Sequence, residues 1–235
     1  MSLPARPCPA VHQPPARALT TPALQRGAHA LALAALLGLG ACASTQWQAQ
    51  GERLARPLCE AGGPTDTAAI LWAPAWRPDQ KEPARREALA EQGLALFQAQ
   101  AQGPAPASCL AISRIERRAE LSSPDRPDPA ALRASLGTSV GSSTGEAPRY
   151  LILLRLRELG PRLSLGLPVG VEGGTEVVVD LRVHDQRQQL WLAEQQLRRW
   201  HGGNFYVKGV DGLPADLADT LRAALLAPAS TRGAR

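Results

Sequence analysis

The chain has 235 residues, with 26 Lys and Arg against 21 Asp and Glu, a formal net charge of +5 and an isoelectric point near 9.5. Three of the basic residues, Arg6, Arg17 and Arg26, precede Cys42, which leaves 23 against 21 and a net of +2 downstream. Those later Arg residues are scattered, so the phosphate-neutralising stripe that nucleic-acid binding needs is missing and the composition argues against nucleic acid as a partner.

The first informative stretch is HALALAALLGLGACAS, residues 29–44. Crossing ~30 Å of hydrocarbon takes about 20 apolar residues, so this run is too short to span and has the length of a signal h-region. It follows Arg26, with no acidic residue before it, and ends in small residues. Its last tetrad, Leu39, Gly40, Ala41 and Cys42, resembles the lipobox of bacterial lipoproteins. That resemblance implies lipidation of Cys42, cleavage just before it, and a palmitate-type acyl group on the new amino terminus. Ala43 in the following position, rather than Asp, resembles the lipoproteins sorted to the periplasmic face of the outer membrane. Residues 1–41 are therefore expected to be a signal peptide, within which the Pro-rich 1–23 reads as a misassigned start. Residues 42–65 are expected to form a lipidated tether, 66–227 a single periplasmic domain, and 228–235 a disordered tail.

If Cys42 carries lipid, Cys59 and Cys109 remain as an even pair in an oxidising compartment, and a disulfide between them is expected. Two buried free thiols are the alternative. Along the chain, residues 43–58 are polar and Ala-rich, with a short helix expected over 48–58. Residues 68–76 read as a buried strand. Asp79 and Glu82, with Pro83 in the first turn, predict a capped helix whose stripe is Leu89, Gly93, Leu96 and Phe97, ending at Gly103 and Pro104. A second strand is predicted over 109–118. Residues 121–148 are rich in Pro, Ser and Gly, a loop apart from a short helix leading to Leu136 and Gly137.

Residues 149–158 predict a third strand. Over 176–184 Val177, Val179, Leu181 and Val183 alternate with polar residues, and a turn near 185–188 joins this strand to another over 189–200 as a hairpin. Leu213, Leu217, Leu221 and Leu225 recur every fourth residue and predict a final helix over 214–226. The order implies an α/β layer of the α+β kind, a mixed sheet of about five strands with helices packed on it. The stretches AAILWAPAW, APRYLILLRLREL and VVVDLRVHDQRQQLWLAEQQLRR resemble a periplasmic α/β domain. It is shared by penicillin-binding-protein activator lipoproteins, the curli secretion-channel lipoprotein and the amino-terminal domain of the Tol propeller protein. The resemblance covers about residues 66–227 and implies a fold, not a single function.

Candidate chemistry is sparse. GTSVG, residues 137–141, matches the nucleophile elbow G-x-S-x-G, and Asp185 and His201 follow Ser139 in hydrolase order. The elbow needs a strand before its Ser and a helix after it, and neither is predicted. His184 falls on the polar side of its strand and reads as solvated. Trp191 and Trp200 read as core residues, a ligand surface being the alternative. No residue set has metal-ligand or phosphate-loop spacing, so no cofactor is expected. In PRLSLGLPVGVEGG, residues 161–174, Leu163, Leu165, Leu167, Val169 and Val171 occupy every second position. Pro168 marks this run as an edge strand. The row either covers the domain's own core or is a partner-binding strip formed by Leu163, Leu165, Leu167 and Val169. The reading that results is a lipid-anchored, non-catalytic binding or assembly module for another envelope protein. An auxiliary lipoprotein of an ABC-type lipid or solute transport system and a serine hydrolase using Ser139 are the alternatives. The lipobox is tested directly: Cys42→Ser should abolish incorporation of a clickable fatty acid in growing cells, and a labelled variant would contradict the assignment.

Overall fold

The computed structural model describes residues 44–58, 65–78, 80–102, 110–121, 147–166, 170–204 and 209–226. Its strands are β1 (Ser44–Glu52), β2 (Asp66–Pro74), β3 (Leu110–Arg117), β4 (Tyr150–Gly166), β5 (Gly170–Asp185) and β6 (Leu190–Asn204). Its helices are α1 (Pro83–Ala101) and α2 (Leu213–Leu225), the latter entered through a 3₁₀ turn, Val210–Gly212. The six strands form one mixed sheet in the order β1-β6-β5-β4-β2-β3. β2, β3 and β4 run parallel, whereas β4, β5, β6 and β1 pair antiparallel. The expected α+β layer is thus the observed fold, with one strand more than anticipated.

The extra strand is β1. Ser44–Glu52 was expected to be tether passing into a short helix, but it pairs with β6 along its whole length, Ser44 facing Gly202 and Glu52 facing Glu194. Leu54 and Leu58, just after it, are buried in the main core. Residues 44–58, expected to be tether, are therefore part of the packed domain. β1 hides its nature because an edge strand needs few apolar residues. Only Trp47 and Ala49 pack against the core.

Both helices lie on one face of the sheet. Ala68, Ile70 and Trp72 of β2, Ile152, Leu154 and Leu156 of β4, and Val177, Val179, Leu181 and Val183 of β5 alternate toward them. α2 buries Leu213, Leu217, Leu221 and Leu225, the predicted row. α1 buries Ala90, Gly93, Leu94, Phe97 and Ala101, a stripe turned by one position from the expected one, and Leu96 is exposed. The small residues cause the rotation, because they let the helices approach. A Cβ on Gly93 would lie 2.9 Å from Leu217 Cδ2 and 3.0 Å from the Pro214 carbonyl oxygen. The helix begins at Pro83 with Glu82 as its N-cap, where the predicted capping box put Asp79. Asp79 lies outside the described residues, and Glu82 sits at φ 55°, ψ 55° with no side-chain cap.

The opposite face carries a smaller apolar cluster, Ala69, Leu71, Ala73, Leu121, Leu151 and Leu153, with Trp191 packed against it. Helix–helix contact at Gly93 generates a stability prediction. Gly93→Val should lower the unfolding free energy by about 1–3 kcal/mol, as overpacking does. The fall should appear as a lower urea midpoint at unchanged slope.

Candidate interaction surface

β4 outlasts its neighbours. Its pairing with β2 ends at Leu156, opposite Pro74, while its pairing with β5 continues from Tyr150 to Gly166. Residues 157–166 therefore run roughly 30 Å beyond the last contact with β2 at about 3.3 Å per residue. β5 and β6 accompany them, up to the facing pair Glu172 and Asn204. The run 161–174, expected to be one edge strand, is instead parts of both β4 and β5. Leu163 faces Gly173, Leu165 faces Val171 and Gly166 faces Gly170. Leu167 and Val169 lie outside the described residues, as do Cys42, Cys59, Cys109 and Ser139.

A β-bulge sits at the root of this arm. Leu156 faces Val179 and Glu158 faces Val178, so Arg157 is an additional residue on β4. The extra residue switches the alternation: Leu156 and then Leu159 both enter the main core. Leu163 shares the parity of Leu159 and hence the helix-side face, but it is 63% exposed. The other face of the arm is ionic. Arg162 Nη1 donates to both Glu176 carboxylate oxygens at 2.9 and 2.8 Å, and Arg198 Nε donates to the same carboxylate.

Glu158 fastens the bulge to the start of α1. Arg86 Nη1 donates to Glu158 Oε1 at 2.8 Å and to the Leu159 carbonyl at 2.7 Å. Arg77 Nη2 donates to Glu158 Oε2 at 3.0 Å, and the Gln80 amide donates to the same oxygen and to the Arg157 carbonyl. The Arg86 guanidinium occupies the space that a side chain on residue 160 would fill, so a larger residue there would displace it. A groove of about 460 Å³ opens beside this cluster, floored by Leu89, Leu159 and Leu213 and rimmed by Arg77, Lys81 and Arg85. Its most buried charges, Glu158 and Arg86, are turned on each other rather than on a ligand.

At the opposite end of β4, Arg149 Nη1 donates to Asp66 Oδ2 at 2.6 Å and Arg149 also reaches Asp185 Oδ2 at 3.4 Å. The hydrogen bond to Asp66 holds the Arg149 guanidinium more firmly protonated, against the effect of burial. Burial pushes the neighbouring Tyr150 phenol above its ordinary value, with Arg149 opposing. Asp185 Oδ1 accepts from the Arg187 and Gln188 amides at 2.8 and 3.0 Å and so shapes the hairpin turn. His201 is hydrogen-bonded to Thr45 Oγ1 at 2.6 Å and faces Thr175, ten positions along β5 from Asp185. That separation is roughly 33 Å along the strand, so Asp185 and His201 cannot serve one catalytic site.

His184, expected to be solvated, is 1% exposed and packs edge-on to Trp191 with ring centroids 5.0 Å apart. Alternation after Val183 puts His184 on the face away from the helices, and a second bulge brings Trp191 to it. Val183 faces Ala193 and His184 faces Trp191, so Leu192 is the extra residue. Trp191 is thereby turned to the face opposite Ala193. Trp200 is buried, as expected of a core residue. Among the described residues, no three His, Cys, Asp or Glu side chains are grouped to hold a metal ion, and no helix is long and apolar enough to cross a membrane.

No family model and no curated protein matches the chain. Among solved structures it is similar to the PelC dodecamer from Paraburkholderia phytofirmans, at 12% identity and TM-score 0.38, covering 78% of this chain and 99% of that one. A Leu-to-Met variant of that dodecamer gives 14% identity, TM-score 0.36 and coverage of 79% and 100%. A DUF330 protein from Xanthomonas campestris gives 11%, 0.30, and coverage of 70% and 85%. Identities and scores at this level decide nothing about function.

The Glu158 cluster is testable on its own. The Glu158 and Arg86 side chains are only 10% and 14% exposed, so Glu158→Ala should cost about 3 kcal/mol by leaving Arg86 buried without its counter-charge. Combining it with Arg86→Ala should cost less than the two separate losses together, a coupling readable from denaturant midpoints in a double-mutant cycle.

Proposed function

We propose that this chain is a lipid-anchored envelope protein whose α+β domain docks another envelope protein on the arm formed by β4 and β5, without catalysing a reaction. The observation that carries the docking reading is Leu163. It is a large apolar side chain, 63% exposed, on the face of β4 whose Ile152, Leu154, Leu156 and Leu159 are buried. Beyond Leu156 the edge of β4 away from β5 pairs with no strand among the described residues. An extended arm with an apolar row on one face and ion pairs on the other suits recognition by side chains laid along a partner's groove. The anchor half of the proposal rests on the order of Arg26, the apolar run and the LGAC tetrad ending at Cys42. The wide separation of Asp185 and His201 supports the non-catalytic reading over one in which those two residues serve Ser139.

Leu163→Asp tests the docking surface. Envelope proteins that co-isolate with the full-length wild-type chain, identified by mass spectrometry, should be lost with the variant. The thermal midpoint should hardly move, because an exposed substitution costs within about 0.5 kcal/mol, whereas a buried charge costs several. Loss of binding together with a collapsed midpoint would assign Leu163 to the core and displace the interaction surface.

A further inference from the structure

The groove beside the Glu158 clasp has walls of two kinds. Its floor is apolar: Leu89 comes from α1, Leu159 and Pro161 from β4, and Leu213 from the start of α2. Leu159 and Leu213 belong to the main core, and Leu89 packs against it. From Leu159 the register against β5 is unbroken, with Pro161 facing Thr175 and Leu163 facing Gly173. Leu163 therefore lies on the same face as Leu159 and Pro161, roughly 7 Å beyond the last of them along the strand. The apolar row of the floor runs out of the groove onto an exposed leucine.

The rim is cationic. Arg86 and Glu158 offset each other in the buried clasp, which leaves Arg77, Lys81 and Arg85 with Glu82 as the exposed charges of the lining. Even with Asp79 counted from the sequence, cations outnumber carboxylates three to two over residues 77–85. Lys81 has no carboxylate partner among the described residues. Arg85 Nη1 donates to Glu82 at 3.2 Å, but the two side chains are 59% and 66% exposed, and a pair so wet is worth little and is readily exchanged. Arg77, which donates to Glu158, is likewise an exposed side chain able to turn to a second acceptor.

We propose that this groove binds a single-chain anionic amphiphile, its phosphate or carboxylate head against Arg77, Lys81 and Arg85 and its hydrocarbon tail over Leu89, Leu159 and Pro161 toward Leu163. A volume of about 460 Å³ is that of a small-molecule site. A free anion has no use for the floor, and an uncharged apolar ligand has none for the rim. The apolar row on β4 is a single file of side chains, which matches one tail. A hydrocarbon tail also brings no backbone N–H or C=O in need of partners, whereas a peptide laid on the same floor would. Arginine and lysine grip an anionic head through charge-assisted hydrogen bonds while their own methylene stems lie along the tail. The site stands whether or not a partner docks on the arm.

The test uses the purified full-length protein held in phosphatidylcholine nanodiscs, where no partner is present. Two photoreactive probes share a dodecyl tail that carries a diazirine; one has a phosphate head and the other an uncharged maltose head. Irradiation should attach the phosphate probe to the peptides that contain Leu89 and Leu159, and the maltoside about tenfold less. Excess dodecyl phosphate should protect those peptides, and ethyl phosphate, which has the head without the tail, should not. Lys81→Glu combined with Arg85→Glu alters two exposed positions, so the urea midpoint should hardly move while labelling of the groove falls about tenfold. The comparison of head groups is made on the wild-type chain and decides the matter even if the double variant is destabilised. No adduct in the groove, equal labelling by the two probes, protection by ethyl phosphate, or unchanged labelling of a folded double variant would each overturn the proposal.

Discussion

Arg157 is the residue that β4 carries in excess of β5, and the bulge it makes governs how the two halves of the molecule are joined. Without it, strict alternation after Leu156 would send residue 158 into the helix-side core and turn residue 159 away. With it, Leu159 stays in the core, and Glu158 is left at the rim, where Arg77, Gln80 and Arg86 converge on its carboxylate. That ionic clasp ties the entry of α1 to the point where β4 leaves its parallel neighbour. The helix layer and the projecting arm therefore share one hinge of buried charge. An ion pair in such a place contributes less to net stability than to fixing which arrangement is adopted.

The same bulge explains why the arm is hard to read in the sequence. Ile152, Leu154 and Leu156 sit on even positions, whereas Leu159, Leu163 and Leu165 sit on odd ones. A pattern that changes phase reads as two strands with a break between them, and Pro161 and Pro168 strengthen that impression. The structure runs straight through Pro161, beyond the point where β4 last pairs with β2, and among the described residues no strand pairs with that edge. His184 is misread as solvated for a related reason. A second extra residue, Leu192, reverses the phase of β6, and the face opposite the helices is not uniformly wet. Period-2 patterns assign faces only while the register holds.

Where the register holds, the sequence is sufficient. Val177 to Val183, the row from Leu213 to Leu225 and the hairpin between β5 and β6 are all where alternation and helical spacing put them. The α1 stripe was displaced by one position because Ala90 and Gly93 count for little on hydrophobicity, yet they decide which face can press against α2. β1 was missed since a strand at the end of a sheet has one neighbour and needs only Trp47 and Ala49 to hold it down. Of the candidate interaction strip, the apolar row was visible as composition. Its division between two strands, and the exposure of Leu163, belong to tertiary structure.

The start of β1 at Ser44 also fixes a length. One residue, Ala43, separates it from Cys42, a span of at most ~7 Å between the two Cα atoms for an extended chain. On the proposal that Cys42 carries the lipid, the sheet's border strand would begin within that reach of the anchor. Copies anchored in that way would meet their partners within the plane of the membrane. Confinement of that kind raises effective concentration without adding a single contact.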